Sequence, residues 1–379
     1  MSRALTSFLF LTGLCCAQAA PPPVDTDALT AATRQIARLV DDGDVFGMVV
    51  LVQRGDQVLV HEAFGHRDVK RTKPMQTDTL FRMASNTKAV TAAAVLTLVE
   101  AGKVDLDDPI ARWFPSFDHD DAAKITVRQL LTHSSGLRIE SLFLQPLMEK
   151  SDEHPDAPNL VLECSRFGDV GPKVAPGTSY AYNNPGYNLC AGLVEVCSGQ
   201  NFADYVRQRF YEPLGMRDTC HHETVADNTR MSVVLEKTKD GRWRVAWGPG
   251  GKPTVPFVRG SGGMISTTTD FARFCRMLLD GGRVDTADGP RQLLTAESVA
   301  AAFCDQIPQL KEDYGFGWVI GDDGSVSHSG SDGTWAMCDP ARDVIALVFT
   351  QTQESKTLDK GREAFGVAVR AACPPVARK

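Results

Sequence analysis

The segment Ala89 to Val99 (AVTAAAVLTLV) carries no charge and is rich in alanine. A stretch of that length and composition reads as a helix buried within a core. Directly before it stands Ser85-Asn86-Thr87-Lys88. Residues three apart share one helix face, so Ser85 and Lys88 are expected side by side in the first turn. A serine hydroxyl is a poor nucleophile until a base takes its proton. Lysine becomes that base when burial penalises its charged form, and the positive end of the helix dipole works in the same direction. Two fixed positions in four also describe a helix cap followed by a solvated lysine. The decision therefore rests on the rest of the chain.

The 379 residues suffice for one large or two moderate domains, and 43% hydrophobic with 23% charged residues is the balance of a soluble globular protein. The net charge of −7 and the absence of any basic block give nucleic-acid binding no electrostatic support. The N-terminus reads as a signal peptide over residues 1–19. It has Arg3, a short apolar run from Phe8 to Cys16, and Ala17-Gln18-Ala19 as a small-x-small cleavage site. That run is too short to span a bilayer, so the expectation is a processed protein without a membrane span, periplasmic or secreted. Of ten cysteines, Cys15 and Cys16 lie in that segment. The other eight admit either disulfides or buried free thiols. Cys190 and Cys197 fall on one expected helix, about 10 Å apart, which is too far for a bridge between them.

The pattern along the chain predicts a helix over Thr26 to Asp42, then strands Phe46 to Gln53 and Gln57 to Ala63 joined by Arg54-Gly55-Asp56. After the Ser85 helix the chain is mixed and helical in tendency to about Val255. Short helices are expected at Ile125 to Leu131, Tyr187 to Val196 and Phe271 to Leu279. Strands are expected at Tyr314 to Ile320, Ser325 to Ser329, Thr334 to Cys338 and Val344 to Thr350, and a last helix at Leu358 to Ala372. This order implies an α/β fold in which one antiparallel sheet, built from both ends of the chain, is flanked by the N- and C-terminal helices. The α/β sandwich domain takes residues 24–105 and 256–373, and residues 106–255 form an inserted, mostly helical lobe.

Two further segments carry chemistry. In Tyr182-Asn183-Asn184-Pro185-Gly186, the last two residues mark a loop entering the next helix. Tyr182 suits a general base or proton shuttle, and Asn184 offers an amide to a substrate. His328-Ser329-Gly330 ends a strand and leads into Ser331. The backbone N–H of Ser331, with that of Ser85, would form an oxyanion hole, and His328 could bind a substrate carbonyl or carboxylate. Metal chemistry has little support. His61-Glu62 and His66 sit one residue too far apart for a zinc helix, and His221-His222-Glu223 has no third ligand at a recognisable spacing. No cofactor and no metal are expected.

In chain order, Ser85-x-x-Lys88, Tyr182-x-Asn184 and His328-x-Gly330 resemble the three signature motifs of the serine β-lactamase and penicillin-binding-protein superfamily. The match is nearest to its class C β-lactamase-like group of esterases, DD-peptidases and D-aminopeptidases. Leu130 to Leu137, Pro213 to Met216 and Gly260 to Leu279 extend the likeness. The resemblance implies a β-lactamase/transpeptidase-like sandwich with a helical lobe and a site in the cleft between them. It makes Ser85 the acylated nucleophile, with Lys88 and Tyr182 moving its proton. Asn184 would contact substrate, His328 and Gly330 would line the strand edge, and the N–H groups of Ser85 and Ser331 would hold the oxyanion. His133 lies in a recurring family segment and is assigned no chemistry. Where classic β-lactamases carry lysine, this chain has His328, mostly neutral at pH 7, so strong β-lactam turnover is not expected. The expected function is therefore an exported serine hydrolase acting on a small ester or amide, esterase-like first. The alternatives are a D-Ala-D-Ala carboxypeptidase, D-aminopeptidase or weak β-lactamase on a D-amino-acid substrate, and a non-catalytic penicillin-recognising sensor or scaffold.

Overall fold

The computed structural model describes residues 22–139, 147, 149–222, 227, 229–250, 255–353 and 355–376, so the expected signal segment 1–19 lies outside the described residues. The chain opens with helix α1 (Thr26–Asp41), strands β1 (Gly47–Arg54), β2 (Gln57–Gly65) and β3 (Phe81–Arg82), and helix α2 (Thr87–Glu100). The middle holds helices α3 (Val127–Leu131), α4 (Leu160–Val170), α5 (Asn184–Ser198) and α6 (Phe202–Val206), then strands β4 (Cys220–His221), β5 (Val234–Lys237) and β6 (Trp243–Trp247). There follow β7 (Met264–Ser266), α7 (Thr268–Leu279), a hairpin of β8 (Arg283–Thr286) and β9 (Gly289–Gln292), and α8 (Ala296–Ala302). The chain closes with β10 (Val319–Ile320), β11 (Val326–Ser329), β12 (Thr334–Asp339), β13 (Val344–Thr350) and α9 (Lys356–Ala372).

Six strands form one antiparallel sheet in the order β10-β11-β12-β13-β1-β2. The last strand thus pairs with the first, from Met48 opposite Thr350 to Arg54 opposite Val344. Both strands are near-continuous apolar runs because both faces of the sheet are covered. Met48, Val50 and Val52 join Leu29 and Ile36 of α1 and Phe365 and Val369 of α9 in one core. Val49 and Leu51 point the other way, into the larger core that holds α2. Helix α2 is apolar on every side and buried from Thr87 to Leu98, in contact with α5 and α6. The expected α/β fold with an antiparallel sheet and terminal helices is what the chain adopts.

Three local expectations are corrected. Helix α5 begins at Asn184, three residues before the expected Tyr187. Asn183 caps it by accepting the N–H of Gly186, and Pro185 sits in its first turn, so Pro185-Gly186 is helix start rather than loop. Of the expected strand Tyr314 to Ile320, only Val319–Ile320 joins the sheet, and Tyr314 folds back to make an isolated bridge with Val319. Gly317 breaks the run: its φ is +81°, and a Cβ there would lie 2.9 Å from the Lys88 carbonyl oxygen. Finally, β4, β5 and β6 lie in the region read as helical in tendency, β4 joining β7 and β5 pairing with β6. All eight described cysteines are free thiols.

Candidate active site

Ser85 sits where strand β3 turns through a short 3-10 segment, Ala84–Asn86, into α2. Ala84 carries φ +45°, left-handed backbone that costs an alanine about 1–2 kcal/mol. The surroundings hold it there. The Met83 N–H donates to the Met264 carbonyl at 2.9 Å. The Met83 carbonyl accepts from Thr334 Oγ1 at 3.0 Å, and that same hydroxyl accepts from Asn86 Nδ2 at 2.9 Å. The nucleophile candidate is thus bracketed from residues 83 and 86 by one side chain at the start of β12.

Lys88 is fully buried, at 0% exposure. Its Nζ lies 3.0 Å from Ser85 Oγ, 2.8 Å from Asn184 Oδ1 and 3.1 Å from the Ser261 carbonyl oxygen. Burial holds its pKa well below the usual lysine range, and the positive charge of Arg259 lowers it further. The three neighbours fit the neutral amine. Asn184 Oδ1 and the Ser261 carbonyl can only accept, so they take the two N–H groups, and the lone pair is left facing the Ser85 hydroxyl. An ammonium would also find three acceptors here, but in a site without a carboxylate partner among the described contacts. Ser261 is delivered by the turn from Gly260 to Gly263. A Cβ on Gly260 would come within 2.3 Å of the Tyr187 carbonyl oxygen, so only glycine lets the turn approach this closely. Asn188 Oδ1 then receives the Ser261 N–H at 3.1 Å.

Tyr182 lies in irregular chain just before α5 and is 45% exposed, with its ring centroid 4.6 Å from Lys88 Nζ. Tyr180, Tyr187 and Tyr314 stand around it. Burial raises all three phenols, Tyr180 to about 12 with the Glu312 charge adding, so these three stay protonated. His328 is 4% exposed, and both of its ring nitrogens are engaged within the protein. The Ser329 carbonyl, 2.8 Å from Nδ1, can only accept, which places the proton on Nδ1; Nε2 then accepts from the Tyr314 hydroxyl at 3.1 Å. Burial, and then the Lys88 charge, lower the His328 pKa to about 3, so the ring is neutral.

Strand β10 pairs with β11 only at Val326 and Ser327, so His328 and Ser329 form an edge of the sheet beside Ser85. Gly330 closes against the nucleophile segment: a Cβ there would lie 2.5 Å from the Met83 carbonyl oxygen and 3.1 Å from Ala84 Cβ. Arg82, three residues before Ser85, forms an ion pair with Asp332, one residue after Ser331, at 3.3 Å. Gln351 spans the same two segments, accepting the Arg82 N–H at 3.0 Å and donating to the carbonyls of Arg82 at 3.1 Å and Asp332 at 3.5 Å. Among the described residues the backbone N–H groups of Ser85 and Ser331 have no acceptor.

The structure therefore gathers Ser85, Lys88, Tyr182, Asn184, His328 and Gly330 at one place, with Ser331 at its rim. The Ser261 carbonyl, the Thr334 bracket and the Arg82–Asp332–Gln351 clamp were not read from the sequence. They are backbone groups or long-range contacts, and only the glycine-rich turn at Gly260 to Gly263 signalled that a backbone comes close. Among the described residues no group of three His, Cys, Asp or Glu side chains could hold a metal ion, and no helix is long and apolar enough to cross a membrane.

Residues 32–369 match the beta-lactamase family, and the chain belongs to it. Among its relatives, Protein Rv1367c of Mycobacterium tuberculosis is 28% identical over 90% of this chain and 94% of its own. Penicillin-binding protein 4* of Bacillus subtilis is 27% identical over 75% of this chain and 63% of its own. Esterase EstB of Burkholderia gladioli is 32% identical over 52% of this chain and 53% of its own. The D-amino acid amidase of Ochrobactrum anthropi SV3, complexed with L-phenylalanine amide, superimposes with a TM-score of 0.70 at 25% identity, over 90% of this chain and 99% of its own.

Proposed function

We propose that the protein is a serine hydrolase that cleaves small, uncharged esters through an acyl-enzyme on Ser85. The observation that carries this reading is Lys88, fully buried and 3.0 Å from Ser85 Oγ with its other two polar neighbours able only to accept. Ser85 Oγ attacks the ester carbonyl carbon while its proton passes to Lys88 Nζ. The carbonyl oxygen becomes anionic between the N–H groups of Ser85 and Ser331. As the tetrahedral species collapses, Tyr182 hands a proton to the departing alcohol oxygen and recovers it from Lys88. Water then attacks the Ser85 ester by the same path and releases the acid. Asn184 holds the amine of Lys88 and borders the substrate.

Substrate charge follows from His328. A neutral ring already committed to Tyr314 and Ser329 offers no fixed cation to a carboxylate, which favours a neutral acyl donor over a β-lactam. The named esterase among the relatives supports the same choice. The likeness to a D-amino acid amidase supports amides as a second class, cleaved by the same steps. Export to the periplasm or beyond belongs to this reading and rests on the signal-like residues 1–19.

Trapping tests the nucleophile. Incubation with a serine-directed aryl phosphonate should add one phosphonyl group, mapped by peptide mass spectrometry to Ser85 and absent from Ser85→Ala. An adduct on another residue, or labelling of the variant, would overturn the assignment.

A further inference from the structure

His133 is a buried imidazole that the proposed chemistry does not use. It is 1% exposed, and its backbone has φ +57°, left-handed geometry that is uncommon outside glycine. Three contacts join it to the chain around Tyr182. Its carbonyl accepts the N–H of Ala181 at 2.9 Å, and its Nδ1 accepts the N–H of Asn183 at 3.0 Å. Its ring lies against that of Tyr182, with centroids 4.4 Å apart. The residues before and after Tyr182 are thus both hydrogen-bonded to this one residue, and Tyr182 itself rests on its ring.

We infer that His133 is the positioning residue of Tyr182, setting where its phenol stands above Lys88. The inference rests on the proposed role of Tyr182 as proton carrier. The need for such a support is plain from the local structure. Residues 179–183 belong to no helix or strand, and Tyr182 is the most exposed of the four tyrosines around the site, so no regular element fixes it. The support works only in one form of the ring. Nδ1 must accept from the Asn183 N–H, so the proton sits on Nε2. A second proton would set one donor against another and break the bracket. Burial above all holds the pKa of His133 well below the ordinary histidine value, which favours that form. Nε2 has no hydrogen-bond partner among the described residues. It lies among aromatic rings, with centroids of Tyr314 at 5.0 Å and Tyr187 at 5.1 Å. Of the two ring nitrogens, only Nδ1 holds the chain.

That asymmetry gives the test. An asparagine places Oδ1 where Nδ1 stands and tolerates a left-handed backbone, whereas glutamine carries its amide out toward the Nε2 position. His133→Asn, His133→Gln and His133→Ala would be compared on a short-chain aryl ester, with folding checked by thermal unfolding and Ser85→Ala as control. His133→Ala is expected to lose about 10²-fold in kcat, the order that a misplacement near 1 Å costs, with KM changed far less. His133→Asn should recover most of that loss and His133→Gln little of it. The Asn and Gln variants, matched in polarity, decide the matter even where the alanine variant does not fold. Equal kcat for Asn and Gln, or a loss confined to KM, would overturn the inference. Turnover that survives Ser85→Ala would instead overturn the reading of the site itself.

Discussion

At the scale of single residues, the proposed mechanism makes Lys88 the group that sets the acid–base behaviour. In the proposed mechanism a neutral amine is the base, so turnover should rise with pH through the lowered pKa of Lys88 and hold above it. The acid limb of kcat/KM should therefore fall well below the range of an exposed lysine, about 10.4. His328, at about 3, contributes no limb near neutrality. Lys88→Met keeps the apolar stem and removes the amine. It should fold, and its ester turnover should drop to the level of Ser85→Ala; a variant retaining more than a tenth of the wild-type rate, about 1.4 kcal/mol or less in barrier, would deny Lys88 the role of base. Tyr182→Phe keeps the ring against His133 and Lys88 while removing the phenol. Turnover should fall far more than KM rises, and unchanged turnover would take Tyr182 off the proton path.

Elements matter because the two proposed oxyanion donors come from segments far apart in the chain, the 3-10 segment before α2 and the turn after β11. Three ties hold them together: the close approach of Gly330, the Thr334 hydroxyl bridging Met83 and Asn86, and the Arg82–Asp332 pair spanned by Gln351. Gly330→Ala adds a methyl where the nearest oxygens are 2.5 Å away, one of them a backbone carbonyl that cannot rotate aside. The turn must shift outward and carry the Ser331 N–H with it. The expected loss is about 10²–10³ in kcat, the cost of one oxyanion donor, measured on the same aryl ester with phosphonate labelling of Ser85 slowed in parallel. Full activity in a folded Gly330→Ala variant would show that the Ser331 N–H is not needed.

At the scale of the whole molecule, buried neutral histidines tie stability to pH. His221 and His328 are each lowered to about 3, first by burial, against 6.5 for the ordinary group. Between those values the unfolded chain takes up protons that the folded one refuses. Stability is therefore fully kept above pH 6.5 and falls on acidification toward pH 3, with a slope of up to about 1.4 kcal/mol per pH unit for each histidine. Urea midpoints between pH 7.5 and 4.5 should decline; a flat profile would contradict the burial of both rings. Much of the molecule was legible because local rules fixed it. The spacing of Ser85 and Lys88 in front of an uncharged helix, and the apolar runs of β1 and β13, needed no tertiary knowledge. What escaped was set by contacts between distant segments. Gly317 interrupts a strand because it packs on the backbone of Lys88, Ser261 works through its carbonyl rather than its side chain, and His133 acts on a tyrosine 49 positions later in the chain. None of these leaves a periodic signal. The most direct test is a pair of initial-rate assays on the purified protein and on Ser85→Ala, one with a short-chain aryl ester and one with a chromogenic β-lactam. Ester turnover that disappears with Ser85, and exceeds β-lactam turnover, is expected. Ester turnover that persists without Ser85, or β-lactam hydrolysis faster than ester cleavage, would contradict an acyl-enzyme esterase with a neutral His328.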